Sequence, residues 1–217
     1  MSTRASTAGP RKLGRPPATD SAETRERLLR AARLAFADVG YAATTNRELA
    51  ARAGITTAAI YHYFPSKADL YLAVLEEVDA AVASTFEDAT AGLVGLIPRF
   101  CAVLDAAVDL NRADPSVAAF VVGVGVEARR HPELAELIHH RPGRSTMFVH
   151  RLVTEARDAG ELLPGVEARG LEDLLSSVLS GLARFSTATA SAERYCSAVE
   201  AFKRVLTATA VDVGSSA

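Results

Sequence analysis

Residues 40–70, GYAATTNRELAARAGITTAAIYHYFPSKADL, crowd three helix starts and two stops into one short stretch. Thr45 and Glu48 have capping-box spacing and open a helix over residues 45–53, which Gly54 ends. Thr56 caps the next helix, which runs to about residue 64. Pro65 then breaks the chain, and Ser66 caps a long helix over about residues 67–89. Two short helices hinged on one glycine cannot bury a core alone. They need a preceding helix to close a three-helix head, and that requirement narrows the fold sharply.

The preceding helix is present. Asp20 and Glu23 have capping-box spacing at its start. Leu28, Ala32, Ala35, Phe36 and Val39 form one apolar stripe, and Gly40 stops it. Beyond the fourth helix, apolar periodic segments alternate with breaks at Gly92/Gly95/Pro98, Asp114-Pro115, His131-Pro132, Arg141-Pro142-Gly143, Gly160, Pro164-Gly165 and Thr189-Ala190-Ser191. These predict five or so further helices, the last two at about residues 167–189 and 191–211, for about nine in total. No segment alternates with strand period, and neither a repeat nor a heptad run is present. The fold class is all-α, with an arm at 1–20, a head at 21–67 and a helical body at 68–217.

The head has the layout of a helix-turn-helix, whose second helix lies in the major groove of DNA. Leu49, Ala50 and Ala53 mark the inward face of its first helix, and Ile55 and Ile60 continue that core beyond Gly54. With Ile60 inward, Thr57, Ala58 and Tyr61 fall on the opposite face. Two small residues and a tyrosine permit close approach to base edges and offer methyls and a hydroxyl. Arg47 is within reach of a guanine or a phosphate, and the helix starts at Thr45 and Thr56 present free N–H groups to phosphates. Lys67 adds a point charge. The alternative is that Tyr61, His62, Tyr63 and Phe64 form an aromatic patch against the body, and Phe64 is read as core.

Charge agrees with a polyanion at one end only. Residues 1–67 carry a balance of +6 and residues 68–217 one of −8, within a chain of net charge −2. Residues 1–20 are rich in Ser, Thr, Ala, Gly and Pro and predict a disordered basic arm. Its Gly14-Arg15-Pro16 has the form of a short minor-groove hook, so Arg15 joins the candidates for DNA contact. Chance clustering on a solvated surface is the competing account of the charge.

Read from Gly40 to Leu70, the pattern Gly-Tyr-x-x-Thr-Thr-x-x-x-Leu-Ala-x-x-Ala-Gly-Ile-Thr-x-x-x-Ile-Tyr-x-Tyr-Phe-x-Ser-Lys-x-x-Leu strongly resembles the TetR family of bacterial transcriptional regulators. With the preceding helix, the resemblance covers about residues 22–70. It implies Thr45 as cap and phosphate contact, Arg47, Thr57, Ala58 and Tyr61 near bases, and Tyr63 and Lys67 on the backbone. Position 63 often holds histidine in the family, whereas here the histidine is His62. Tyr61 and Tyr63 are about 200° apart on an ideal helix, which assigns Tyr61 to bases and Tyr63 to a flanking phosphate.

The resemblance also implies a homodimer through the last two helices, reading a palindromic operator, and a small-molecule pocket in the middle helices. The apolar face Leu171, Leu174, Leu175, Val178, Leu179, Leu182 and Phe185, with Tyr195, Val199, Phe202, Val205 and Leu206, suits such an interface. Candidates for the pocket are Phe86, Phe100, Cys101, Leu104, Phe120, Met147, Phe148 and Arg151, facing a small apolar or aromatic effector. The expected protein is a repressor released by that effector. The rivals are an effector-independent DNA binder and a helical carrier or enzyme.

Other signals are weaker. Gly123-x-Gly125-x-x-Ala128 matches a dinucleotide fingerprint in form but lacks a βαβ unit, so close packing by a helix or ligand is the expectation there. His131, His139, His140 and His150 lack a completing cysteine or carboxylate, and no nucleophile elbow appears, so neither metal, cofactor nor catalysis is expected. Cys101 and Cys196 read as buried thiols of a reducing compartment. The absence of any long apolar window or signal-like start points to the cytoplasm and away from membranes.

Overall fold

The computed structural model describes residues 17–139, 143–189 and 191–214, and every regular element among them is α-helical. The elements are α1 (Pro17–Ala43), α2 (Asn46–Ala53), α3 (Thr57–Tyr63), α4 (Lys67–Thr90), α5 (Leu96–Ala113), α6 (Pro115–Arg130), α7 (Pro132–His139), α8 (Arg144–Asp158), α9 (Ala168–Thr189) and α10 (Ala192–Gly214). Six helices follow α4 instead of about five, because the short α7 stands between the His131-Pro132 break and residue 139. Pro98 does not break the chain. It sits in the first turn of α5, where its missing N–H has no helical partner to lose.

The start of α1 corrects two expectations. The helix begins at Pro17, inside the stretch expected to be an arm, with proline in the first turn where its fixed φ suits a helix. Asp20 and Glu23 therefore lie within α1 and not at its cap. Residues 1–16, Arg15 among them, lie outside the described residues, as do His140, Arg141, Pro142 and Ala190. Gly40 does interrupt α1, at φ 82, after which one more turn carries Tyr41 into the core. That turn leaves Val39 exposed, while Phe36 and Tyr41 point inward.

Two apolar clusters hold the chain. The first joins the head to the near end of the body: Leu28, Leu49 and Ile60 pack in one continuous core with Leu70 and Tyr71 of α4, Val117 and Phe120 of α6 and Leu134 of α7. Phe36, Tyr41, Tyr71 and Phe120 form a chain of ring contacts, each step 5.0–6.0 Å between centroids. The core thus crosses the boundary expected at residues 67–68. The second cluster gathers Phe86, Phe100, Leu104, Phe148 and Leu152 with Leu175, Tyr195 and Val199. No helix among the described residues is long and apolar enough to cross a membrane.

Candidate nucleic-acid interface and body cavity

The reading head is built by local capping. Thr45 accepts a hydrogen bond from the Glu48 N–H at 3.2 Å and Thr56 one from the Ala59 N–H at 3.2 Å. Gly54 takes a left-handed conformation (φ 68, ψ 35), which turns the chain sharply between α2 and α3. Leu49, Ala50, Ala53 and Ile60 are buried beneath, which leaves Thr45, Arg47, Thr56, Thr57, Ala58, Tyr61 and His62 exposed. The outward set expected on α3 is therefore the outward set found, and Tyr61 keeps 54% of its surface open.

Three aromatic neighbours divide in role. Phe64 is buried, with the Arg25 guanidinium 5.4 Å from its ring centre. Tyr63 is half-buried against the head core and its hydroxyl lies 3.3 Å from Ser21 Oγ, which ties the end of α3 to α1. His62 stands on the surface with its ring edge-on to Tyr63 at 5.5 Å.

Lys67 is not the free point charge expected. Its ammonium donates to the carbonyls of Tyr41 at 2.7 Å and Thr44 at 3.0 Å, with Ala42 at 3.5 Å, and lies 4.4 Å from the centre of the Tyr41 ring. It closes the end of α1 from the first residue of α4. Burial pushes its pKa down, against an upward pull from Glu133 and Glu127.

A residue not anticipated from the sequence completes the head. Asn46, first in α2, donates from Nδ2 to the Tyr61 hydroxyl at 2.9 Å. Nothing in the local sequence marks it, because its partner lies fifteen positions on, across the turn.

The body holds a cavity of about 800 Å³ walled by α4 to α9, with Tyr195 of α10 at one side. Its wall is mostly aliphatic, from Leu72, Leu75, Val82, Leu110, Val121 and Val124 among others, with polar groups that include Glu76, Asp79, Asn111, Arg144, Ser176 and Ser180. Of the eight candidates named from sequence, Phe86 alone lines it. Phe100, Leu104 and Phe148 fill the second core, where Phe86 and Phe148 pack at 5.8 Å, and Phe120 packs on Tyr71. Cys101 lies half-buried on α5, where burial pushes its thiol pKa up. Met147 is exposed, and Arg151 pairs with Glu87 at 2.8 Å on the surface. Phe100, Phe120 and Phe148 are spent on core filling, so apart from Phe86 and Tyr195 the void is left to smaller side chains.

Gly125 also borders the cavity, as the expectation of a close ligand allows, but a Cβ on Gly123 would meet nothing within 4 Å, so no close helix explains that glycine. Both cysteines are half-buried and unbridged, and Cys196 Sγ lies 3.7 Å from the Arg112 guanidinium. Among the described residues no three His, Cys, Asp or Glu side chains gather as a metal site would require.

Residues 28–74 match the model of the bacterial regulatory proteins of the tetR family. The transcriptional regulator UidR of Escherichia coli K12 is 26% identical over 168 residues, which is 76% of this chain and 84% of that protein. Salmonella enterica GusR shares the fold with a TM-score of 0.69 and 26% identity, over 91% of this chain and 98% of its own. Bacillus subtilis FadR, solved with stearoyl-CoA, shares the fold alone, with a TM-score of 0.70 and 16% identity over 83% of this chain and 96% of that one. The reading head thus matches the tetR-family model, and the helical body shares the fold of GusR, so the chain is similar over most of its length to helix-turn-helix regulators of transcription.

Proposed function

We propose that the protein is a homodimeric, effector-released repressor that reads a palindromic operator. One observation carries this reading: the head exposing Thr57, Ala58 and Tyr61 shares a continuous core with α4 and α6, and those two helices also wall the 800 Å³ cavity. A ligand filling the cavity therefore presses on the helices to which the head is fixed. By thermodynamic linkage, it must bind the DNA-free form better by the factor by which it weakens operator binding.

Within this reading Thr57, Ala58, Tyr61 and Arg47 meet base edges, while the helix starts at Thr45 and Thr56 meet phosphates. His62 and Tyr63 flank the site. Lys67 is assigned to the fold of the head, because its donors are already engaged by carbonyls. The dimer forms through α9 and α10, where Leu174 and Val205 are 58% and 63% exposed in the single chain and Leu171, Val178, Leu182 and Phe202 are half-buried. The cavity falls within the usual range of small-molecule sites, roughly 300–1,000 Å³. Its aliphatic wall with few polar groups suits an apolar effector carrying a small number of hydrogen-bonding atoms, and the stearoyl-CoA complex of B. subtilis FadR is a precedent for an acyl chain in this fold.

Selection of bound fragments from random duplex DNA, followed by sequencing, tests the reading. An enriched palindrome with half-sites about one or two helical turns apart, released by a cavity ligand, is the expected result. Retention with no enriched sequence would sink the specific dimer. Operator affinity indifferent to every ligand that binds the cavity would sink the effector.

A further inference from the structure

The contact between Asn46 and Tyr61 has a chemical direction. Asn46 Nδ2 donates to the Tyr61 hydroxyl oxygen at 2.9 Å, while Asn46 Oδ1 is buried with no hydrogen-bond partner. Turning the amide over would place its NH2 group in that buried position and leave two donors unmade where now one acceptor is unmade. A buried unmade donor or acceptor carries its full desolvation cost, so the direction found is the better one. A phenol oxygen that accepts from an amide keeps its own proton for another partner. Tyr61 is half-exposed on the outward face of α3, so that proton is offered outward.

We propose that Asn46 is a positioning residue for DNA recognition, which fixes the Tyr61 hydroxyl as a hydrogen-bond donor toward the duplex. This rests on the reading above, in which Tyr61 faces DNA. The group opposite Tyr61 must then be an acceptor: a purine N7, guanine O6 or thymine O4 on a base edge, or a phosphate oxygen. The amino groups of cytosine and adenine do not serve. Asn46 touches no base in this scheme and acts through Tyr61.

The test combines selection from random duplexes with affinity titration of the full chain, using Asn46→Leu, Tyr61→Phe and the double variant. Each single change is expected to lower affinity for the selected site about tenfold, the worth of one hydrogen bond, and the double variant is expected to lose no more than Tyr61→Phe alone. A relaxed preference at one position per half-site assigns the acceptor to a base, and an equal loss on all sequences assigns it to a phosphate. Asn46→Asp guards against a folding failure, because aspartate suits a helix start and can only accept. It turns the Tyr61 proton inward, so the preference change should appear with Tyr61 and be absent in Tyr61→Phe. If Asn46→Leu costs the same factor in Tyr61→Phe as in the parent, or costs nothing, the proposal is overturned while the DNA reading stands. If the unaltered protein enriches no sequence, both fall together.

Discussion

The helices of the head and two helices of the body, α5 and α8, start in different ways. In the head each cap lies three residues from its donor: Thr45 for Glu48, Thr56 for Ala59, and Ser66 for Asp69 at 3.1 Å. In the body, α5 and α8 begin on glycines that have no side chain to cap with. The Leu96 N–H instead donates to Glu161 at 2.6 Å, and Asp79 accepts from the N–H groups of Arg144 and Ser145 and from the Ser145 hydroxyl. Each of these borrowed carboxylates is about 65 positions away. The head therefore carries its shape in short windows of sequence. In the body, α6 and α10 keep local caps in Asp114 and Ser191, but α5 and α8 hold their starts only while other helices are in place, and Asp79 is itself part of the cavity wall. A fixed head on a body whose joints run past the cavity is an arrangement that the proposed effector control would use.

The sharpest way to break the comparison is at Gly143. Its φ of −66 suits any residue, so the backbone does not demand glycine. A Cβ there would stand 2.8 Å from one Asp79 carboxylate oxygen and 3.1 Å from the other. Gly143→Ala should cost about 2–3 kcal/mol, because it drives Asp79 off several donors at once. Asp79→Ala should cost about 2 kcal/mol on the same grounds. The double variant should be no less stable than Asp79→Ala alone, because the three atoms nearest the new methyl all belong to Asp79. Denaturant unfolding of the four proteins measures the cycle, and additive losses would show that Asp79 is not the clip.

Lys67 is the head's own exception, a closure from more than twenty residues away, here at a helix end. Lys67→Met should cost about 2 kcal/mol of stability, the worth of a charged hydrogen bond, and leave the salt dependence of DNA binding unchanged. A flatter salt dependence with stability intact would return Lys67 to the phosphate contacts.

Gly54 gives the local counterpart of Gly143. A Cβ there would meet nothing within 4 Å, so its requirement is the left-handed backbone alone. Gly54→Ala should cost about 1 kcal/mol, and no second substitution should recover it. Recovery by a distant change would mean that the head is not locally determined.

This contrast explains what could be read from the chain. The helix starts at 45, 56 and 66 and the turn at 54 each depend on residues within a few positions, so their signals were complete in the sequence. So were Asp114 and Pro115, whose carboxylate caps α6 at 3.1 Å. The cavity was not legible. Apolar character says that a side chain seeks burial, but it does not say whether a neighbour or a void faces it. Phe100 and Phe148 look as suitable for a ligand as Phe86 until the packing of α5 and α8 on α4 is known. Asp79 reads as one more surface acid on an amphipathic helix, and Asn46 as an unremarkable polar residue, because the partners of both are set by tertiary structure.

The smallest expected effect concerns the joint between the two regions. Arg33 of α1 pairs with Asp114 at the start of α6, the helix along which α1 packs. Burial pushes the Asp114 carboxyl up, but the Ser116 hydrogen bond and the Arg33 guanidinium outweigh it and hold the pKa below the ordinary value. A depressed carboxylate contributes stability that is fully present above its unfolded pKa, about 3.9, and is lost as pH falls through the folded value. Asparagine caps a helix as well as aspartate does, so Asp114→Asn removes the charge pair and spares the start of α6. The parent should be slightly more stable than this variant near pH 7, and the difference should shrink toward zero as pH drops below about 4. Paired unfolding curves across that range measure it. A gap that widens in acid would reverse the sign, and with it the assignment of Asp114 as the charged latch between the head and the body.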